Sequence, residues 1–263
     1  MPRVAGIGRT DREWLAAVLR GTKGAISVAE VTSILSMAPA SAAKVLARWT
    51  NKGWLSRVRR GLYVPVPLES RTTDVPLEDP WIIAARLYSP CYIGGWSAAE
   101  HWDLTEQIFR TVVVMTNRPL RKWRMNVKGT DFLLRSVSPK SLFGLKSVWR
   151  GKAKVDVSDP TRTVLDMLSD PRLGGGIRPT FDMFTNYMGS NKKDLPLLVD
   201  YADRLGNGAV FKRLGFLLDR SSPEEETIIS QCRKRLTAGN AKLDPQLPSK
   251  KLIGRWRLWI PER

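Results

Sequence analysis

The sequence predicts an α+β protein in two unequal parts. A small helical module closed by a hairpin comes first. A larger α+β region follows, with a small mixed sheet and a helical second half. Three observations predict this. Short segments up to Lys52 carry apolar residues at three- and four-residue spacing. Brief β-rich runs separated by turns fill the stretch between Thr111 and Val157, and helical spacing returns after Ser158.

Thr10 is placed to cap a helix over residues 11–19, with Glu13 completing a capping box. Trp14, Leu15, Val18 and Leu19 give that helix its apolar stripe. Ser27 is placed to cap a second helix over residues 28–35, with Glu30 at the third position and Val28, Val31, Ile34 and Leu35 facing inward. Ser36, Met37 and Ala38 form a turn. Pro39 suits the first position of a third helix, where its missing N–H costs nothing, and that helix runs to about Lys52 and stops at Gly53.

The third helix has two faces. Ala42, Val45, Leu46 and Trp49 fall at helical spacing and should pack inward. Ser41, Lys44, Arg48, Asn51 and Lys52 fall on the other side and are small, basic or amide-bearing. Two strand-like runs follow, residues 54–58 and 62–66, joined by Arg59, Arg60 and Gly61, with Arg57 on the first run. Three helices and then a basic hairpin is the order of a winged helix-turn-helix, so residues 1–66 read as a DNA-binding domain. The expected DNA-binding residues are Ser41, Lys44, Arg48, Asn51 and Lys52 on the helix and Arg57, Arg59 and Arg60 on the hairpin.

Residues 67–80 are rich in proline and polar side chains and read as a linker, leaving 81–263 as a second α+β domain, sheet-rich over 81–158 and helix-rich over 159–263. In its first half, helices are expected over 81–88 and 96–102, and strands over 91–93, 111–115, 130–137, 147–149 and 153–157. Ser158 or Asp159 should cap a helix opened by Pro160. Residues 172–176 make a turn, and helices are expected over 179–188, 195–205, 209–218 and 223–236. Residues 254–260 alternate basic and apolar side chains and read as a strand with Trp256 and Trp259 inward and Arg255 and Arg257 outward. With Lys250 and Lys251 this tail also has the composition of a nucleic-acid contact.

Among 263 residues, 43 are basic and 25 acidic, a formal charge of +18. Residues 1–66 carry 11 basic and 3 acidic side chains, net +8, nearly half the excess in a quarter of the chain. Such an excess favours a polyanionic partner. No run approaches the roughly 20 apolar residues of a membrane span, and Cys91 and Cys232 form no metal-ligand pair with His101. The expectation is a soluble, cytoplasmic chain without cofactor or metal.

Enzymatic readings find little support. His101 is the only histidine. Asp156, Asp159 and Asp166 sit in a strand, at a helix start and one turn from Arg162, which are structural positions. Residues 174–176 are three glycines that follow a helix rather than a strand and lack the Lys-Ser/Thr of a phosphate loop. Glu224, Glu225 and Glu226 are ordinary helix-start chemistry. A tethered metal-dependent nuclease and a ligand-sensing regulator remain as alternatives.

The motifs RRGLYVPV, YIGGWSAAEHWDLTEQ, VSDPTRTVLDML and DPRLGGGI, in that order, resemble the AbiEi-type antitoxins and transcriptional regulators of type IV toxin–antitoxin systems. The positions carrying the resemblance are Gly94, Ser97, Ala98, Leu104 and Thr105, then Asp159, Pro160, Arg162, Thr163, Leu165 and Asp166, then Gly175 and Gly176. The resemblance implies a repressor of its own operon acting through inverted repeats, with two copies on the DNA of a chain that is otherwise a monomer or weak dimer. It further implies a C-terminal domain that counters a nucleotidyltransferase-like toxin, and it leaves open whether the two form a stable complex. It supplies no catalytic role.

Overall fold

The computed structural model describes residues 6–261 apart from 68, 71 and 73–75, so part of the expected linker and the last two residues of the tail lie outside the described residues. The chain begins with α1 (Arg9–Gly21), β1 (Ile26–Ser27), α2 (Val28–Ile34), α3 (Pro39–Asn51), β2 (Leu55–Arg59) and β3 (Leu62–Pro65). The expected cap at Thr10 is not formed. The helix starts at Arg9 after Gly8, so Thr10 lies inside the first turn and Glu13 pairs with Arg9 one turn back. At Ser27 the capping box is complete: its hydroxyl accepts from the Glu30 N–H at 3.2 Å, and the Glu30 carboxylate accepts from the Ser27 N–H at 2.9 Å. Val18, Val31, Ala42, Val45, Leu46 and Trp49 meet in one buried cluster. Leu19, expected inside, is exposed.

β2 and β3 form an antiparallel hairpin closed by Arg60 and Gly61, with Gly61 at φ +78° and a bulge between Arg57 and Arg59. β1, which nothing in the sequence announced, adds to β3 and makes a three-stranded sheet in the order β1-β3-β2.

The larger part opens with α4 (Pro80–Tyr88), capped by Asp79, then β4 (Cys91–Ile93) and α5 (Gly95–His101). Five more strands follow: β5 (Val112–Thr116), β6 (Arg124–Val127), β7 (Thr130–Ser136), β8 (Leu145–Arg150) and β9 (Ala153–Ser158). They build a mixed six-stranded sheet in the order β6-β7-β5-β4-β9-β8, parallel at β5/β7 and β4/β9. Strand alternation sends Ile93, Val112, Val114 and Val155 to the α4 face, and Tyr92, Val113 and Met115 to the other face.

That second face is covered by α6 (Pro160–Ser169), α7 (Ile177–Gly189), α8 (Leu195–Leu205), α9 (Gly208–Ser221) and α10 (Glu226–Lys234). Asp159 caps α6 by accepting from the Arg162 N–H at 2.8 Å. One turn on, the buried Arg162 guanidinium donates to Asp166 at 2.9 Å and to the Tyr92 hydroxyl at 2.9 Å, tying the helix to the sheet. The tail is not the single strand expected over 254–260. It forms β10 (Ala241–Lys242), β11 (Lys251–Ile253) and β12 (Leu258–Ile260), with a 3₁₀ turn at Gly254–Trp256 and Arg257 at φ +50° reversing the chain. Trp256 is fully buried against Gly215 of α9.

The two parts share apolar packing. Ala25, Leu62 and Val64 of the first module lie in one buried cluster with Leu77, Ile82, Ile83 and Val155 of the second.

Candidate nucleic-acid interface

α2 and α3 are joined by a tight turn in which Ser36 adopts φ +48°. At about 100° per residue, Ala42, Val45, Leu46 and Trp49 occupy the inner arc of α3. The opposite direction belongs to Ala40, Lys44, Ala47 and Asn51, all exposed. Ser41 lies at the margin of that face and is exposed too. Three small side chains around one lysine and one amide leave a surface that another molecule can approach closely.

Arg48 and Lys52, expected on the same face, are turned toward α1. The Asp11 carboxylate accepts from Arg48 at 2.5 Å, from the Trp49 indole N–H at 3.0 Å and from Lys52 at 3.2 Å. Asp11 is only 13% exposed at its side chain. Desolvation works against its ionisation, but the Trp49, Arg48 and Lys52 hydrogen bonds outweigh it and hold the carboxyl below its ordinary value. Lys52 also lies 4.6 Å from the centre of the Trp54 ring. The pair therefore sets the angle of α3 on α1. A lone acid 37 residues upstream gave the sequence reading no hint of this.

The hairpin leaves α3 directly, the Trp54 N–H donating to the Trp49 carbonyl at 3.0 Å. Arg57 and Arg60 are exposed on it. Arg59 is exposed but leans away, donating to the Arg86 carbonyl of α4 at 3.3 Å. Arg86 in turn pairs with Glu30 in the first turn of α2 at 2.5 Å. Of the eight expected residues, Ser41, Lys44 and Asn51 thus share one open helix face, and Arg57 and Arg60 stand open on the hairpin. Arg48, Lys52 and Arg59 are engaged within the protein.

The residues weighed for chemistry do not converge. His101 is wedged edge-on between Trp81 and Trp102, at 5.6 and 4.5 Å between ring centres, and burial together with nearby Arg150 pushes its imidazole below the ordinary value. Asp156 is exposed on β9 and accepts from the Ser147 hydroxyl, Asp159 caps α6 and accepts from Tyr201, and Asp166 is buried with Arg162. Among the described residues no group of His, Cys, Asp or Glu is arranged to hold a metal ion. No described helix is long and apolar enough to cross a membrane.

No curated protein matches the chain. Its fold is similar to the crystal structure of the RV2827C protein from Mycobacterium tuberculosis, with a TM-score of 0.64 and 12% identity over 98% of this chain and 94% of that one. At that identity the likeness carries the fold alone. Residues 15–66, which run from the middle of α1 through the hairpin, match the family described as transcriptional regulator, AbiEi antitoxin.

Proposed function

We propose that residues 1–66 are a winged helix-turn-helix that binds double-stranded DNA, with α3 in the major groove and the β2–β3 hairpin as the wing. The observation that carries this is the open face of α3. Ala40, Ala47 and Ser41 allow close approach, and Lys44 and Asn51 supply a cation and an amide able to address guanine and adenine edges. Arg57 and Arg60 reach phosphates. Arg48 and Lys52 act chiefly by holding α3 on α1 through Asp11, and Arg59 by fixing the wing on α4. The matched family supports a regulator's role, in which the chain represses its own operon through inverted repeats with one copy per half-site, and the larger domain counters a nucleotidyltransferase-like toxin.

The test is binding of the full chain to its own promoter and to a random duplex. Lys44→Ala and Asn51→Ala should each cost about 1–3 kcal/mol of discrimination between the two. Arg60→Ala should weaken both equally and lower the salt slope by about one. A parent protein that binds both duplexes alike would overturn the repressor reading. The antitoxin half calls for a neighbouring nucleotidyltransferase-like gene, and either its absence or failure of co-expression to rescue growth against its product would overturn that half.

A further inference from the structure

We propose that the β8–β9 hairpin, together with Lys23 in the α1–β1 loop, is a second contact for the backbone of double-stranded DNA beside the wing. This rests on the reading of α3 as the groove-entering helix. Trp149 on β8 is 66% exposed, and the Nζ of its cross-strand neighbour Lys154 lies 4.9 Å from the ring centre. Lys152 stands at the hairpin's turn. Lys23, Lys152 and Lys154 are all exposed, and among the described residues none is in an ion pair. Of the nearby acids, Glu30 is paired with Arg86 and Asp79 with Arg150, and Asp156 accepts from the Ser147 hydroxyl, while Glu69 and Glu78 line a neighbouring depression with Lys152.

Position ties Lys23, Trp149 and Lys154 to the wing. Lys23, Glu30, Arg86, Trp149 and Lys154 line one depression of about 610 Å³. Arg86 is its hub: its guanidinium holds Glu30 in the first turn of α2, and its carbonyl receives Arg59 of the wing. In a helix-turn-helix the helix before the recognition helix crosses the phosphate backbone, so the start of α2 brings this surface up to the same strand of phosphates. The indole face holds the Lys154 ammonium, which lowers the conformational entropy lost when that ammonium meets a phosphate.

The experiment measures binding of the full chain to the promoter duplex and to a random duplex between 50 and 200 mM salt. The variant is Lys23→Gln/Lys152→Gln/Lys154→Gln, all three surface positions. Losing three phosphate contacts should lower the salt slope by about 2–3 and weaken both duplexes by the same factor. Hydroxyl-radical protection should shrink at one flank of each half-site. A variant with the parent's slope and footprint overturns this proposal while leaving the α3 reading intact. A loss seen on single-stranded but not duplex DNA overturns it too. A parent indifferent to sequence, or unaffected by Lys44→Ala, overturns the α3 reading instead, and a parent that binds no duplex overturns both.

Discussion

Replacing Asp11 by Ala removes the acceptor for three donors at once, Arg48 and Trp49 on α3 and Lys52 just past its end. The Trp49 indole N–H is then left in a largely buried place without a partner, a loss of about 1–3 kcal/mol. The two ion pairs add less. Arg48 is 47% exposed, so solvent screens its share to a fraction of a kcal/mol. The sum is about 2 kcal/mol at neutral pH. Asp11→Asn keeps an acceptor for Trp49 and should lose under half of that. Because the folded-state carboxyl titrates below its unfolded value, its contribution is present above the ordinary aspartate pKa of 3.8 and is lost as pH falls through the folded value. Urea unfolding followed by circular dichroism, at pH 7 and at stepwise lower pH, reads both effects. A parent–alanine difference under about 0.5 kcal/mol at pH 7, against the roughly 1–3 expected for an orphaned buried donor, would refute Asp11 as the anchor of α3 on α1. So would a charge-dependent part of the difference that does not decline as pH falls below the ordinary aspartate value of 3.8.

Two further substitutions probe the larger part. At Gly215 an added Cβ would lie 2.0 Å from the Trp256 ring, so Gly215→Ala must displace the tail; it should cost at least the roughly 1–3 kcal/mol of an overpacked core, and protease sensitivity near residue 256 should report it. Arg162→Leu strands the buried Asp166 carboxylate and should destabilise by about 3–5 kcal/mol in thermal or urea unfolding, whereas Arg162→Leu/Asp166→Leu should recover much of that loss.

The parts of this structure legible in sequence are those written locally. The inward stripe of α3 appears as Ala42, Val45, Leu46 and Trp49 at helical spacing, and the Ser27–Glu30 box is a four-residue signal. Elements that depend on distant partners were not legible. β1 is two residues long and exists because β3 lies beside it. β6, with the sequence Arg-Met-Asn-Val, is a polar edge strand without apolar alternation, held by β7. The tail broke at Gly254 because Trp256 finds its place on Gly215, 41 residues back in the chain. The same division runs through the candidate site. Which side of α3 faces out follows from spacing, so the exposure of Lys44 and Asn51 is legible. That Arg48, Lys52 and Arg59 were claimed by Asp11 and by the Arg86 carbonyl is a matter of tertiary contact.

The shared packing of Ala25, Leu62 and Val64 with Ile82, Ile83 and Val155 bears on how two copies would sit on one operator. A reading head on a loose tether tolerates half-sites at many separations. Here β3 is packed onto the six-stranded sheet, so on the proposed reading the bulk of the larger part travels with each α3 and sets how near two copies can come. On an inverted repeat, half-site separation then becomes a property of the whole molecule's shape rather than of its first 66 residues. By the same token, a partner that shifted α4 or β9 would be felt at the β2–β3 hairpin.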